Sequence, residues 1–110
     1  MSILDSLFGS IKTSAIAAKD VSIDPNFPEI GEEIRVGYNG LLAQNGAEQV
    51  YLHVGYDNNW HDLEDIPMQK DVDGWYCEFI PQYSEVNFCF HDSANNWDNN
   101  NGSNWSIKLS

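Results

Sequence analysis

Much of the chain consists of short runs in which apolar and polar residues alternate, the pattern of half-buried β-strands. The clearest run places Val50, Leu52 and Val54 on one face of a strand. Tyr51 and His53 then point from the opposite face. We expect the first face to join a core and the second to be open to solvent.

Similar runs recur along the chain, each bounded by Gly, Pro, Asn or Asp residues that favour turns. They occupy residues 34–38, 75–80, 86–91 and 105–109. In the third of these runs, the alternation predicts that Asn87, Cys89 and His91 point outward. About five to eight short strands with no helices between them predict an all-β, immunoglobulin-like antiparallel β-sandwich over residues 21–110.

The first part of the chain has a different period. Apolar residues recur every three or four positions over residues 3–19, and Ser2 can cap the start of a helix. The pattern predicts a short amphipathic helix, so residues 1–20 form an N-terminal helical segment or tail. Two interpretations stay open: a helix that packs on the sandwich or stays loose, and one that mediates self-association or enzyme docking through residues 1–19.

Charge narrows the choice of partners. The 110 residues carry 5 Lys and Arg against 17 Asp and Glu, a formal net charge of −12. Scattered basic residues in an acidic chain argue against nucleic acid or an anionic membrane as partner. No apolar run approaches the ~20 residues of a membrane span, and the N-terminus lacks a basic leader. We therefore expect a cytoplasmic protein, unless the chain is an excised domain of a secreted enzyme.

The two cysteines match no metal-binding spacing. Cys77 and Cys89 are expected to be free thiols in a reducing compartment. A cross-strand disulfide between them stays open, because a tight connection over residues 81–85 would place them opposite each other.

The candidate chemistry lies in two polar segments that each contain one tryptophan. Trp97 lies within residues 91–104, where six of fourteen positions are Asn, and Trp60 lies within residues 56–62. Such segments are typical of turns whose side chains bond to their own backbone. They also suit a sugar platform, because a pyranose ring packs on an indole and Asn can pair with hydroxyl groups. Trp75 and Trp105, by contrast, lie within apolar runs and are predicted to be core residues.

The sequence resembles the family 25 carbohydrate-binding modules over roughly residues 30–107. The resemblance is specific because the matching segments occur in the same order, with the string Trp-Asp-Asn-Asn-Asn-Gly at residues 97–102 after His-Val-Gly-Tyr at residues 53–56. The segments are Gly37–Leu42, Val50–Asp57, Trp60, Ile66–Met68, Gly74–Trp75, Asn87–Phe88 and Asn96–Gly102.

The resemblance implies a non-catalytic β-sandwich that binds α-1,4-linked glucans: starch, glycogen or maltooligosaccharides. It implies that the stacking residues are His53, Trp60 and Trp97. Neighbouring polar residues are weaker candidates for contacts to the sugar: Asn96, Asp98, Asn99 and Asn100. No catalytic residue and no cofactor is implied.

Three alternatives remain at this stage. A glycoside hydrolase would use the acidic residues of the segment 61–65, which is interpreted as a loop. A calcium-dependent module would use an EF-hand-like fragment at Asp98, Asn100 and Gly102, or the carboxylates of Asp57 and Asp62. A protein-interaction module would act through the N-terminal helix.

Overall fold

The computed structural model describes Thr13–Ser14 and residues 20–110. Two β-sheets account for most of these residues, and the described part of the chain contains one short helix, α1 (Leu41–Gln44). Sheet A consists of β1 (Thr13–Ser14), β4 (Val50–Tyr56), β5 (His61–Pro67), β8 (Glu85–Asp92), β9 (Trp97–Asp98) and β10 (Trp105–Lys108). Sheet B consists of β2 (Val21–Asp24), β3 (Ile34–Tyr38), β6 (Gln69–Asp71) and β7 (Gly74–Phe79). The predicted all-β sandwich is confirmed.

The order of the strands places β4 and β8 at the centre of sheet A. The order is β1-β10-β8-β4-β5, with β9 pairing along part of β8. Sheet B has the order β2-β3-β7-β6. All pairs are antiparallel except β1 with β10. A turn at Asp73 and Gly74 joins β6 to β7, and Gly74 adopts a positive φ of 132° that favours glycine.

The core lies between the two sheets. Val50, Leu52 and Val54 of β4 are fully buried, as their alternation predicts. Trp75 and Trp105 are 5% and 4% exposed, which confirms their assignment to the core. The ring of Trp105 packs against Phe88 and Phe90, the inward residues of β8, with ring centroids 6.2 and 5.3 Å apart.

The outer face of sheet A differs from its prediction at β8. Asn87 is fully buried and Cys89 is 5% exposed, although both point away from the core. The turn after β4 covers this part of the face, since the Asn87 amide donates to the backbone oxygen of Asp57 at 2.8 Å. Alternation correctly separates the two faces of a strand, but it does not show that a loop folds back over one of them.

The segment 61–65 is strand rather than loop. β5 pairs with β4 as an edge strand, and five of its seven residues, at positions 62–65 and 67, are exposed with no alternation. A register shift between Val54 and Tyr56 marks a bulge in this pair.

The predicted N-terminal helix lies almost wholly outside the described residues. Of residues 3–19 the structure describes only Thr13–Ser14, which form β1 and add to the edge of sheet A beside Trp105 and Ser106. Among the described residues no helix is long and apolar enough to cross a membrane.

Candidate functional site

The candidate site lies on the outer face of sheet A, where three neighbouring strands each present a polar ring or acid. His53 of β4 is opposite Asp65 of β5, and Tyr51 of β4 is opposite His91 of β8. These side chains share one face because successive residues of a strand alternate between faces. We call the group His53, Trp60, His91 and Trp97 the aromatic platform, since their rings adjoin one another on this face.

Trp60 reaches the platform from the turn between β4 and β5. Its backbone has a positive φ of 54°, which is costly for a bulky residue and needs surrounding support. Gly55 leaves the space that Trp60 occupies, because a Cβ at position 55 would lie only 3.0 Å from the Cα, Cβ and Cε3 atoms of Trp60. The Asn87 amide, bonded to the oxygen of Asp57, anchors the start of the same turn.

Trp97 reaches the platform from the Asn-rich segment. It lies in β9 opposite His91, and it is 46% exposed. Its indole N–H donates to Oδ1 of Asn95 at 3.1 Å. Trp60 and Trp97 therefore lie together on this face, while Trp75 and Trp105 lie in the core.

The rings form a continuous aromatic surface. The His53 ring is stacked with Trp60 at a centroid distance of 6.0 Å and meets Trp97 edge-on at 5.1 Å. His91 lies 4.4 Å from Trp97 and stacks on Tyr51 at 5.0 Å. Aromatic faces of this kind pack against the C–H groups of a sugar ring, while ring nitrogens can pair with its hydroxyl groups.

Asp65 fixes the two histidines. Its Oδ1 atom is 2.7 Å from Nδ1 of His53 and 2.9 Å from Nε2 of His91. Partial burial opposes the ionisation of Asp65, but the hydrogen bonds from the two histidines outweigh it and lower the pKa of the carboxyl group. Because Asp65 contacts both imidazole rings, the rings of His53 and His91 have defined orientations.

The four weaker candidates of the Asn-rich segment each bond within the segment. The side-chain amide of Asn96 donates to Asp92, and that of Asn100 donates to the backbone oxygen of Asn104. Oδ1 of Asn99 accepts from the N–H of Gly102, at 2.9 Å. These bonds form the turns that carry Trp97, which agrees with the interpretation of the segment as self-bonded turns.

Asp98 links this segment to the other sheet. Its Oδ2 atom accepts a hydrogen bond from the Tyr38 hydroxyl at 2.5 Å, and its Oδ1 atom accepts from the N–H of Asn100 at 3.2 Å. The Tyr38 hydroxyl also accepts from the N–H of Leu42, at 3.1 Å. Burial and the bond to Asp98 strongly raise the pKa of Tyr38, so the hydroxyl stays protonated and donates. Both oxygens of Asp98 thus have hydrogen-bond partners within the chain.

A second cluster lies at the far end of β5, around His61. Nε2 of His61 is 2.9 Å from Asp57, and the Tyr83 hydroxyl donates to Asp62 at 3.0 Å. The hydrogen bond to Asp57 raises the pKa of His61. Asp62 belongs to this cluster, whereas Asp65 contacts His53 and His91 of the platform, so these two carboxylates of the segment 61–65 have separate partners.

The two cysteines are free and buried. Cys77 lies on β7 of sheet B and Cys89 on β8 of sheet A. Burial raises the pKa of each thiol to about 12, which keeps both protonated at neutral pH.

The structure brings together the three stacking residues named from the sequence and adds others that sequence reasoning did not assign. His91 and Tyr51 were recognised as outward but given no role, and Gly55 was not singled out. Asp65 was considered only as a catalytic acid. The available signal for His91 was its outward position on a strand, whereas the nearness of Asp65 depends on the pairing of β4 with β5.

Comparison with known proteins relates the chain to carbohydrate-binding modules. The family model described as starch/carbohydrate-binding module (family 53) matches residues 34–88, which are half of the chain and include His53 and Trp60.

An alpha-amylase of Clostridium acetobutylicum is 39% identical over 80 residues, which cover 70% of this chain and 10% of that protein. The chain therefore corresponds to about a tenth of the length of this relative. No solved structure is similar enough to count as a match. The resemblance seen in the sequence holds for starch-binding modules as a class, with family 53 rather than family 25 as the matching model. The chain belongs to the family 53 starch/carbohydrate-binding modules.

Proposed function

We propose that the aromatic platform on sheet A binds α-1,4-linked glucans, and that the chain acts without catalysis. The observation that carries this proposal is the convergence of three rings from separate elements: His53 lies 6.0 Å from Trp60 and 5.1 Å from Trp97. The resemblance to family 25 modules, which assigns the stacking role to the same three residues, supports it. Starch, glycogen and maltooligosaccharides all consist of α-1,4-linked glucose units, whose pyranose faces can pack on such a platform.

The platform is open, so binding is weak. Few contacts enclose the ligand, and we expect dissociation constants on the order of 10 μM to 1 mM, or roughly −4 to −7 kcal/mol. The net charge of −12 then serves solubility rather than recognition of an uncharged ligand.

Affinity electrophoresis in gels that contain amylopectin, glycogen, cellulose or xylan tests both the ligand class and the site. The chain is expected to be retarded by the first two polysaccharides only. Trp97→Ala removes a ring that is 46% exposed and lies outside the core, so it should abolish most of the retardation without unfolding the domain.

Phe27→Ala is the matched control, because Phe27 is 84% exposed and is not part of the platform. It is expected to migrate like the unaltered chain. Full retardation of Trp97→Ala would show that the platform is not the binding site.

The role of the N-terminal segment stays a prediction, as does the cytoplasmic location. Deletion of residues 1–12 leaves β1 in place and removes most of the predicted helical stripe. A change in oligomer size on this deletion, measured by light scattering, would support self-association through the segment.

A further inference from the structure

Two platform residues, His53 and His91, form a cluster of metal-binding side chains with the neighbouring Asp65. Nδ1 of His53, Nε2 of His91 and a carboxylate oxygen of Asp65 all lie within 4.8 Å of one another. We propose that these three residues bind one divalent transition-metal ion of the Zn²⁺ class. The metal site does not depend on the proposed glucan binding.

The ligand set matches the chemistry of such ions. Two imidazole nitrogens and one carboxylate oxygen are a common three-residue set for Zn²⁺, with a fourth position left to water. Ca²⁺ and Mg²⁺ require six or more oxygen ligands, and this cluster offers one carboxylate. A chain of net charge −12 also attracts cations to its surface.

The backbone holds the three residues in place. They come from adjacent strands, since β4 pairs with β5 on one side and with β8 on the other. His53 and Asp65 are a directly opposed cross-strand pair. Donor groups on paired strands of a sheet are positioned more firmly than donors on loops, which lowers the ordering cost of binding.

Metal binding needs two adjustments: Asp65 must move away from the two ring nitrogens, and those nitrogens, which lie within 4.8 Å of each other, must come to about 3.3 Å. Asp65 is now 2.7 and 2.9 Å from the two ring nitrogens, as expected for hydrogen bonds. Tetrahedral ligands at metal bonds of about 2.0–2.1 Å stand roughly 3.3 Å apart. Rotation of the Asp65 side chain, which is 51% exposed, supplies the difference of about half an ångström.

The other ring nitrogen of His91 has a suitable neighbour. Nδ1 of His91 lies 3.4 Å from the backbone oxygen of Asp92, at the long end of hydrogen-bond distance. When a metal occupies Nε2, the proton of the neutral ring moves to Nδ1, and a backbone oxygen is a usual acceptor for it.

Isothermal titration of the untagged full chain with ZnCl₂ tests the site. We expect one bound ion per chain, and a loss of affinity of about tenfold or more in Asp65→Asn and in His91→Gln, since each removes one of three ligands. His61→Gln is the matched control: it removes the third histidine, which lies between Asp57 and Asp62 outside the cluster, and is expected to bind Zn²⁺ within about twofold of the unaltered chain.

A second measurement covers the case in which a variant does not fold. In the unaltered chain, Zn²⁺ is expected to shift the imidazole NMR signals of His53 and His91 and to leave those of His61 in place. Absence of saturable binding, unchanged affinity in both ligand variants, or shifts confined to His61 would each overturn the proposal. Because no glucan is present, failure here leaves the proposed sugar binding untouched, and failure of sugar binding leaves the metal site untouched.

Discussion

Substitution of Gly55 by alanine is the sharpest test of how the fold positions Trp60. The added Cβ would lie 3.0 Å from three carbon atoms of Trp60, two of which are its Cα and Cβ. Nonbonded carbons prefer about 3.5–4.0 Å, so Trp60 and its turn must move outward by roughly 0.5–1 Å. The move changes the stacking of Trp60 with His53, now at a centroid distance of 6.0 Å.

The expected loss of affinity follows from the number of rings. If three stacking rings share a binding free energy of about −4 to −7 kcal/mol, the share of one ring is about 1.3–2.3 kcal/mol. Loss of that share weakens maltooligosaccharide binding by about 10- to 50-fold. The same overpacking is expected to lower the free energy of unfolding by about 1–3 kcal/mol.

Isothermal titration with maltooligosaccharides measures the effect, with circular dichroism to confirm that the variant is folded. Gly37→Ala is the control, because Gly37 lies on sheet B and an added Cβ there meets the rotatable Ser22 hydroxyl, at 2.5 Å. It should keep full affinity. A folded Gly55→Ala variant with unchanged affinity would show that the position of Trp60 does not matter for binding.

The remaining predictions concern the core, the Asn-rich segment and pH. Trp105→Ala should lower the free energy of unfolding by about 3–5 kcal/mol in urea titrations, since the side chain is 4% exposed; a loss below 1 kcal/mol would contradict its place in the core. Tyr38→Phe removes the hydrogen bond to Asp98, so it should lower the free energy of unfolding by about 1.5–3 kcal/mol and weaken sugar binding. The control Tyr76→Phe removes a hydrogen bond to Gln69 on sheet B and should leave the affinity for sugar unchanged. Hydrogen bonds from Asn96 lower the pKa of Asp92 below its ordinary 3.8. The stabilisation of the folded chain by these bonds is therefore complete above about pH 5 and is lost as the pH falls below 3.8. The fluorescence of Trp97 should change in that range, and the change should be smaller in Asp92→Asn.

Alternation of apolar and polar residues was enough to predict the central strands. β4 and β8 each lie between two partners and have one face in the core, so their inward residues stand out clearly. The same pattern correctly assigns Trp75 and Trp105 to the core. It also places His53 and His91 on the outer face, which is why part of the site was accessible from the sequence.

Edge positions and long-range contacts were not accessible in this way. β5 is solvated on most of its surface, so its sequence carries no alternation and was interpreted as a loop. The approach of Asp65 to His53 and His91, which are 12 and 26 positions away in the sequence, depends on the strand order β8-β4-β5 in sheet A. The burial of Asn87 depends on a turn folding back over the sheet, and no local pattern encodes that contact.

The indole N–H signals of the four tryptophans test the central claim most directly. In a titration of the chain with a maltooligosaccharide, monitored by NMR, the signals of Trp60 and Trp97 should shift in a saturable manner. The signals of Trp75 and Trp105 should stay in place, because both side chains are buried in the core. Saturable binding that leaves the Trp60 and Trp97 signals unchanged would contradict the assignment of the aromatic platform as the glucan-binding site.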